Sequence, residues 1–290
     1  MFTLAHLSDW HLASRPRFAE LFSKRGLGRI NWHRSRKHVH RPEVFEATVR
    51  DLKAGTPDHI AVTGDLVNLS LADEYNRARG WLQTLGSPTD VTLVPGNHDV
   101  YVRSVVPSPA AYWGDYMRGD DGRDGFPFLR RRGNVALIGL STAVPTAPLM
   151  ATGRLGKHQL ARLLELLDQT RGMFRVVLIH HPAITPPKRR LRRLVDAADL
   201  LDVLADKGAE LLLHGHDHHR ALVWLEGPKT KIPAVGVPSA SARAPHGDEN
   251  CAGYNLFHID GEAGNWRCEM VGRERDAEGG FRDAERRTLY

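Results

Sequence analysis

Four histidines crowd into "HGHDHH", residues 214–219, directly behind the apolar run "ELLL". Imidazole is the commonest protein ligand for transition metals, so the cluster raises the question of a metal site. Similar polar clusters occur earlier in the chain: "SDWH" at 8–11, "TGDLVN" at 63–68, "PGNHD" at 95–99 and "IHHP" at 179–182. Together they supply carboxylates, imidazoles and an amide. The two cysteines, Cys251 and Cys268, fit no zinc spacing and read as reduced thiols, so a metal here would take nitrogen and oxygen donors. Asp9 and His11 are two apart, and so are His216 and His218; in extended chain each pair would project to one side. Two such pincers, a further histidine, an amide and a carboxylate can surround two cations. Asp65, with two oxygens, is the natural bridge. Cations held ~3.5–4 Å apart suit phosphoryl chemistry, because they can share a hydroxide nucleophile and neutralise phosphate oxygens.

The elements needed to position these groups are legible around them. Short apolar runs at 2–7, 59–64, 91–96, 135–140, 174–179 and 210–215 have strand length, and most are rich in Val or Ile. Helix patterns lie between several of them. The segment 42–55 opens on Pro42, and 71–86 closes at Gly86. Along 156–170, Leu160, Leu163, Leu164 and Leu167 recur at helical spacing, and 196–208 stops at Gly208. Alternating strands and helices predict an α/β fold with a largely parallel sheet. The chemistry of such sheets gathers beyond the carboxyl ends of the strands, where the polar clusters fall. After residue 219 the pattern becomes a helix-free meander at 220–227, 231–238, 253–261 and 265–273, expected to finish a second sheet. One domain over 1–275 is expected, followed by a charged tail at 276–290.

In order, the five motifs read DxH, GDxxN, GNHD, HHP and GHxH, and they span residues 9–218. This set resembles the calcineurin-like metallophosphoesterase superfamily. The resemblance implies a four-layer αββα sandwich of two mixed β-sheets flanked by helices. It implies a metal-dependent phosphoric ester hydrolase with two divalent or transition metal ions, Mn, Fe or Zn. Position by position, it implies that Asp9, His11 and His218 bind one metal and Asn97, His180 and His216 the other. Asp65 is implied as the bridge and His98 as the catalytic histidine near the leaving-group oxygen, with Asp99 orienting it. Asn68 falls where the family often carries a residue close to the metals. Asn68, His181 and His219 are candidate substrate contacts. His214 and His6 read as supports beneath the site. His33, His38 and His40 sit among arginines, which oppose a second cation, so no metal role is expected of them.

The net charge of +6 is uneven. Residues 15–41 carry nine Lys/Arg against a single acid, Glu20, and Lys188–Arg193 adds five cations. Fields of one sign commonly face anionic partners. Phe18, Leu21, Phe22, Leu27, Ile30 and Trp32 accompany the first segment, a combination that fits an anionic membrane surface. On this reading the substrate is a phosphodiester or pyrophosphate on a lipid, as in UDP-2,3-diacylglucosamine hydrolysis. A cap over a small anion, as in cyclic-nucleotide phosphodiesterases, is the alternative. Nucleic acid is disfavoured, because phosphate-backbone binding needs no such apolar pattern. A non-catalytic scaffold is disfavoured because every motif position is intact. The opening "MFTLAHLSDWHL" has no basic head and an early Asp9, unlike a signal peptide. The expected location is cytoplasmic, with peripheral membrane association under the lipid reading.

Overall fold

The computed structural model describes residues 1–11, 39–102, 109–245 and 249–290. Except for residues 39–41, the basic segment read at 15–41 lies outside the described residues, and so do His33 and His38.

Two six-stranded mixed sheets form the molecule. The first contains β1 (Phe2–Leu7), β2 (His59–Val62), β3 (Val91–Leu93), β10 (Gly253–Glu262), β11 (Asn265–Arg275) and β12 (Phe281–Thr288), in the order β12-β11-β10-β1-β2-β3. The second contains β4 (Phe128–Arg132), β5 (Val135–Gly139), β6 (Phe174–Leu178), β7 (Leu211–His214), β8 (Ala221–Leu225) and β9 (Ile232–Gly236), in the order β4-β5-β6-β7-β9-β8. β1, β2 and β3 run parallel, as do β5, β6, β7 and β9. Crossover connections use α1 (Pro42–Ala54), α2 (Ala72–Leu85), α3 (Gly156–Gln169) and α4 (Ala197–Lys207). The four-layer expectation therefore holds.

Period-two alternation explains why the central strands read as continuous apolar runs. Leu137, Val176, Leu211 and Val235 face a core shared with Leu4, Val62, Leu93 and Phe257 of the other sheet. Their neighbours Ile138, Val177, Leu212 and Ala234 point the opposite way, onto Leu160, Leu163 and Leu167 of α3 and Leu200 and Leu204 of α4. Both faces are buried, so apolar residues occupy every position. On the other side of the molecule, Phe45, Val49, Leu52 and Leu82 of α1 and α2 pack with the first sheet. Among the described residues, no helix is long and apolar enough to cross a membrane.

Two expectations need correction. The meander does not finish one sheet. β8 and β9 complete the second, whereas β10 pairs antiparallel with β1 and carries β11 into the first. Residues 276–290 are likewise no loose tail. Phe281–Thr288 pairs with β11 as an edge strand, Leu289 is buried, and the Tyr290 ring lies 6.1 Å from Phe174 of the second sheet. The sequence concealed this because "FRDAERRT" is polar on both faces, as edge strands that resist further pairing often are. Deleting residues 281–290 uncovers β11 and opens the end of the core. With ~1.5–3 kcal/mol for each large apolar side chain lost from burial, the melting temperature should fall by about 5 °C or more. A thermal melt unchanged by the deletion would refute this role for the last strand.

Candidate metal centre

The site lies where the carboxyl ends of parallel strands from the two sheets meet. The sheets are tied together there by backbone as well as side chains. Ser8 bridges Ser239 in parallel, and the Ala240 N–H donates to the Ser8 carbonyl at 2.9 Å. From the first sheet come Asp9 and His11 after β1, Asp65 after β2 and Asn97 after β3. From the second come His180 after β6 and His216 and His218 after β7. All seven are buried.

The backbone turns sharply at these residues. Asp9 (φ 58°), His11 (45°), Asp65 (55°), His216 (72°) and His218 (57°) all adopt left-handed conformations. The two pincers are therefore not extended chain, as their spacing suggested. Each is a left-handed turn that begins just past its strand. Two glycines give the loops room to converge. A Cβ on Gly96 would lie 2.2 Å from Asp65 Oδ1, and one on Gly215 would lie 2.3 Å from Asp9 Oδ2.

The donor atoms gather in two groups joined by one carboxylate. In the first, His11 Nε2 and His218 Nε2 are 2.9 Å apart, and Asp9 Oδ1 lies 3.7 and 3.3 Å from them. In the second, His216 Nδ1 is 3.2 Å from His180 Nε2. Asp65 Oδ2 stands between the groups, 3.9 Å from His11 Nε2 and 3.4 Å from His180 Nε2. Asp9 Oδ1 and Asn97 Oδ1 are buried acceptors without a hydrogen-bond partner among the described residues. Carboxylate oxygens and opposed ring nitrogens of Asp9, His11, Asp65, His180, His216 and His218 converging on one place fit divalent cations.

Electrostatics give the same answer. Burial opposes ionisation of Asp65, yet the His180 and His98 imidazoles hold its carboxyl well below the usual range. Burial likewise opposes charge on His180, and Asp65 overrides it, raising His180 to about 9. His218 is raised to about 9 against burial by Asp9, with Glu249 contributing. Protons on these two rings occupy the place of positive charge that the buried carboxylates require. Burial drives His216, surrounded by other histidines, well below the usual range, so it offers a lone pair.

His98 lies at the half-buried rim. Its Nδ1 donates to the Asn68 carbonyl at 2.7 Å, its backbone N–H donates to Asp65 Oδ1 at 2.7 Å, and its ring stacks on Tyr101. This corrects the expectation for Asp99. Asp99 does not orient the His98 ring, because its carboxylate is taken up by the backbone N–H groups of Asp65, Leu66, Val67 and Gly96 at 2.8–3.2 Å. It clamps the Asp65 loop to the Asn97 loop. Burial, with Asp65 nearby, pushes its pKa up to about 7, and the Gly96 and Val67 N–H groups pull the other way.

His181 is also corrected. It is fully buried, accepts from Thr142 Oγ1 at 2.7 Å and donates to Ala151 O at 3.0 Å, so neither nitrogen is left for substrate. Burial lowers its pKa to about 3. His219 is half-buried beside the Asp217 carbonyl, and Asn68 contributes its backbone carbonyl to His98. His6 and His214 are buried supports. His6 Nε2 lies 2.9 Å from Thr63 Oγ1, and the Thr63 carbonyl accepts from His180 Nδ1 at 2.6 Å.

Residues without a motif also reach the site. Glu249 Oε2 is 3.3 Å from His218 Nδ1, and Arg192 donates to the His216 carbonyl at 2.9 Å. Arg189 pairs with Asp217 at 2.8 Å, so the basic run 188–193 does border the loop of the second pincer. His40, expected to stand apart, has its ring 4.7 Å from that of His11. No local spacing signals the contacts of His40 and Glu249, which arise from chain pairing between 39–41 and 241–243 and from the loop after β9.

A family model for calcineurin-like phosphoesterase matches residues 2–220. A probable cyclic nucleotide phosphodiesterase of Synechococcus sp. is 26% identical over 233 residues, covering 77% of this chain and 80% of the relative. A dimetal phosphatase from Danio rerio shares the fold with a TM-score of 0.63, across 99% of this chain and 98% of its own, at 13% identity. Purple acid phosphatase from yellow lupin seeds gives 0.60 at 13% identity over 97% of this chain, which spans about half (52%) of that protein's length. The family match covers both pincers and every loop between them. The chain therefore belongs to the calcineurin-like phosphoesterases and is a phosphoric ester hydrolase, with two donor groups that could each hold a metal ion.

Proposed function

We propose that this protein hydrolyses phosphodiester bonds, with a cyclic nucleotide as the substrate class. The observation that carries the reaction is the position of Asp65, whose Oδ2 lies within 4 Å of a nitrogen from each ligand group. Asp9, His11 and His218 would hold one cation, Asn97, His180 and His216 the other, with Asp65 between them. The donors are nitrogen and oxygen without thiolate, which suits Mn, Fe or Zn. When bound, such a pair supplies an activated water and positive charge for the phosphoryl oxygens.

The chain's own residues do the rest. His98 is oriented by the Asn68 carbonyl through Nδ1–H, and its Nε2 is the atom that would exchange a proton with the leaving-group oxygen. Asp99 holds the loops of Asp65 and Asn97 in register. The cations at 188–193, anchored on Asp217 and the His216 carbonyl, draw an anionic substrate towards the mouth.

The cyclic-nucleotide reading is supported by the Synechococcus relative, which is matched over four-fifths of its length. A second reading, a lipid-linked phosphodiester or pyrophosphate, is favoured by Ile184 and Leu191, which stand about half exposed beside the same cations. A substrate panel in Mn separates the readings. Bis-p-nitrophenyl phosphate should be cleaved faster than p-nitrophenyl phosphate, and cyclic AMP should be hydrolysed. Chelator should abolish all activity. Turnover of a UDP-linked acyl sugar with none of cyclic AMP would overturn the first reading in favour of the second.

Two substitutions test the division of labour. Asp65→Asn should reduce the content of both metals and with it the activity. His98→Ala should keep both metals and lose ~10²–10⁴-fold in kcat. Equal metal loss in both variants, measured by elemental analysis, would show that His98 is not separate from the ligand set.

A further inference from the structure

The first ligand group includes a histidine that lies outside the five motifs. His40 is 7% exposed, and its ring centroid lies 4.7 Å from that of His11 and 5.5 Å from that of His218. One ring nitrogen from each of His11, His40 and His218 falls within 4.8 Å of the others. The chain brings it there by pairing. His40 bridges Ala242 antiparallel, Arg41 N donates to Ser241 O at 3.0 Å, and Arg243 N donates to Val39 O at 2.8 Å. Residues 39–41 thus lie along the loop that follows β9, at the end of the sheets that carries the site.

The hydrogen bonds around His40 fix its tautomer. Its Nδ1 is 2.9 Å from Ser241 Oγ and 3.2 Å from Ser239 Oγ. Each hydroxyl has one hydrogen, and both are already committed: Ser239 donates to the Asp9 carbonyl at 2.7 Å, and Ser241 donates to the Trp10 carbonyl at 2.9 Å. Towards His40 the serine oxygens can only accept. Nδ1 must therefore carry the proton, and Nε2 presents a lone pair. His180 is prepared in the same manner, with Nδ1–H on the Thr63 carbonyl and Nε2 turned to Asp65. Fixing one nitrogen with a hydrogen bond so that the other can ligate is the usual arrangement around a metal-bound histidine. The same two serines also pin the backbone of Asp9 and Trp10, so His40 is registered to the first pincer itself.

We infer that His40 is a further ligand of the first metal, through Nε2, alongside Asp9, His11, Asp65 and His218. The inference rests on the dimetal reading above and deepens it. A neutral imidazole satisfies a cation already balanced by Asp9 and Asp65 without adding charge. It also gives that metal a more nitrogen-rich set than its neighbour and so makes the two positions unequal in affinity.

Apo-protein and its His40→Ala variant would be titrated with Co(II) by equilibrium dialysis, with visible absorption recorded at each step. The unaltered protein should bind two ions. In the variant, one of the two dissociation constants should rise about tenfold or more, and the absorption of that ion alone should change. Asn97→Ala, as the control, should weaken the other ion. Two constants within about twofold of the unaltered protein's, with an unchanged spectrum, in a variant that melts at the usual temperature, would overturn the assignment. If the unaltered protein binds fewer than two ions, the dimetal reading fails, and this inference fails with it. A measurement on the unaltered sequence covers the case of a variant that does not fold. In protein labelled with ¹⁵N-histidine and loaded with ¹¹³Cd, the His40 Nε2 resonance should be split by the metal. An unsplit resonance overturns the assignment.

Discussion

The structure depends on negative charge buried where two sheets meet. Asp9 and Asp65 are at most 2% exposed. A carboxylate taken out of water costs several kcal/mol unless positive charge and hydrogen bonds replace the lost solvent. Here the replacement is divided. Backbone N–H groups of His216 and His98 satisfy Asp9 Oδ2 and Asp65 Oδ1, and the remaining oxygens turn to imidazole nitrogens. Those imidazoles are paired so closely that the arrangement calls for cations between them rather than hydrogen bonds alone.

Holding such groups together requires backbone that would not form for its own sake. A left-handed residue other than glycine costs roughly 1–2 kcal/mol, and five of the seven candidate ligands adopt that conformation. Strain of this kind persists only where the surroundings over-determine it. They do so here. Asp9 N donates to Gly64 O and His11 N to Asp65 O; Asp99 collects four N–H groups from two loops; Ser239 and Ser241 fasten Asp9 and Trp10 from the opposite sheet. The large inter-sheet core beneath supplies the stability against which this strain is set. Asp99 is thus important for a reason unrelated to proton transfer: without it, the loops bearing Asp65 and Asn97 lose their common anchor.

Much of this is written in local sequence, because strand ends and ligand positions are set by neighbours in the chain. Apolar runs followed at once by Asp9, Asp65, Asn97, His180 and His216 gave both the strands and the site. The geometry of the pincers was not legible, since spacing alone cannot distinguish an extended pair from a left-handed turn. Nor were groups whose role comes from pairing across the fold. His40 sits among arginines in sequence yet beside His11 in space. Glu249 and the two serines belong to no motif. His181, adjacent to a candidate ligand, packs its ring 4.3 Å from that of His216 but commits both nitrogens to Thr142 and Ala151. The last strand was hidden by its charge, because an edge needs only backbone pairing and a little burial at Leu289.

The central claim is that two cations lie side by side and share Asp65. Crystals grown with Mn, with diffraction collected so that Mn scatters anomalously, test it most directly. Two peaks about 3.5–4 Å apart, one on each side of the Asp65 carboxylate, are the result expected. A single peak, or two peaks too far apart to contact one carboxylate, would contradict it.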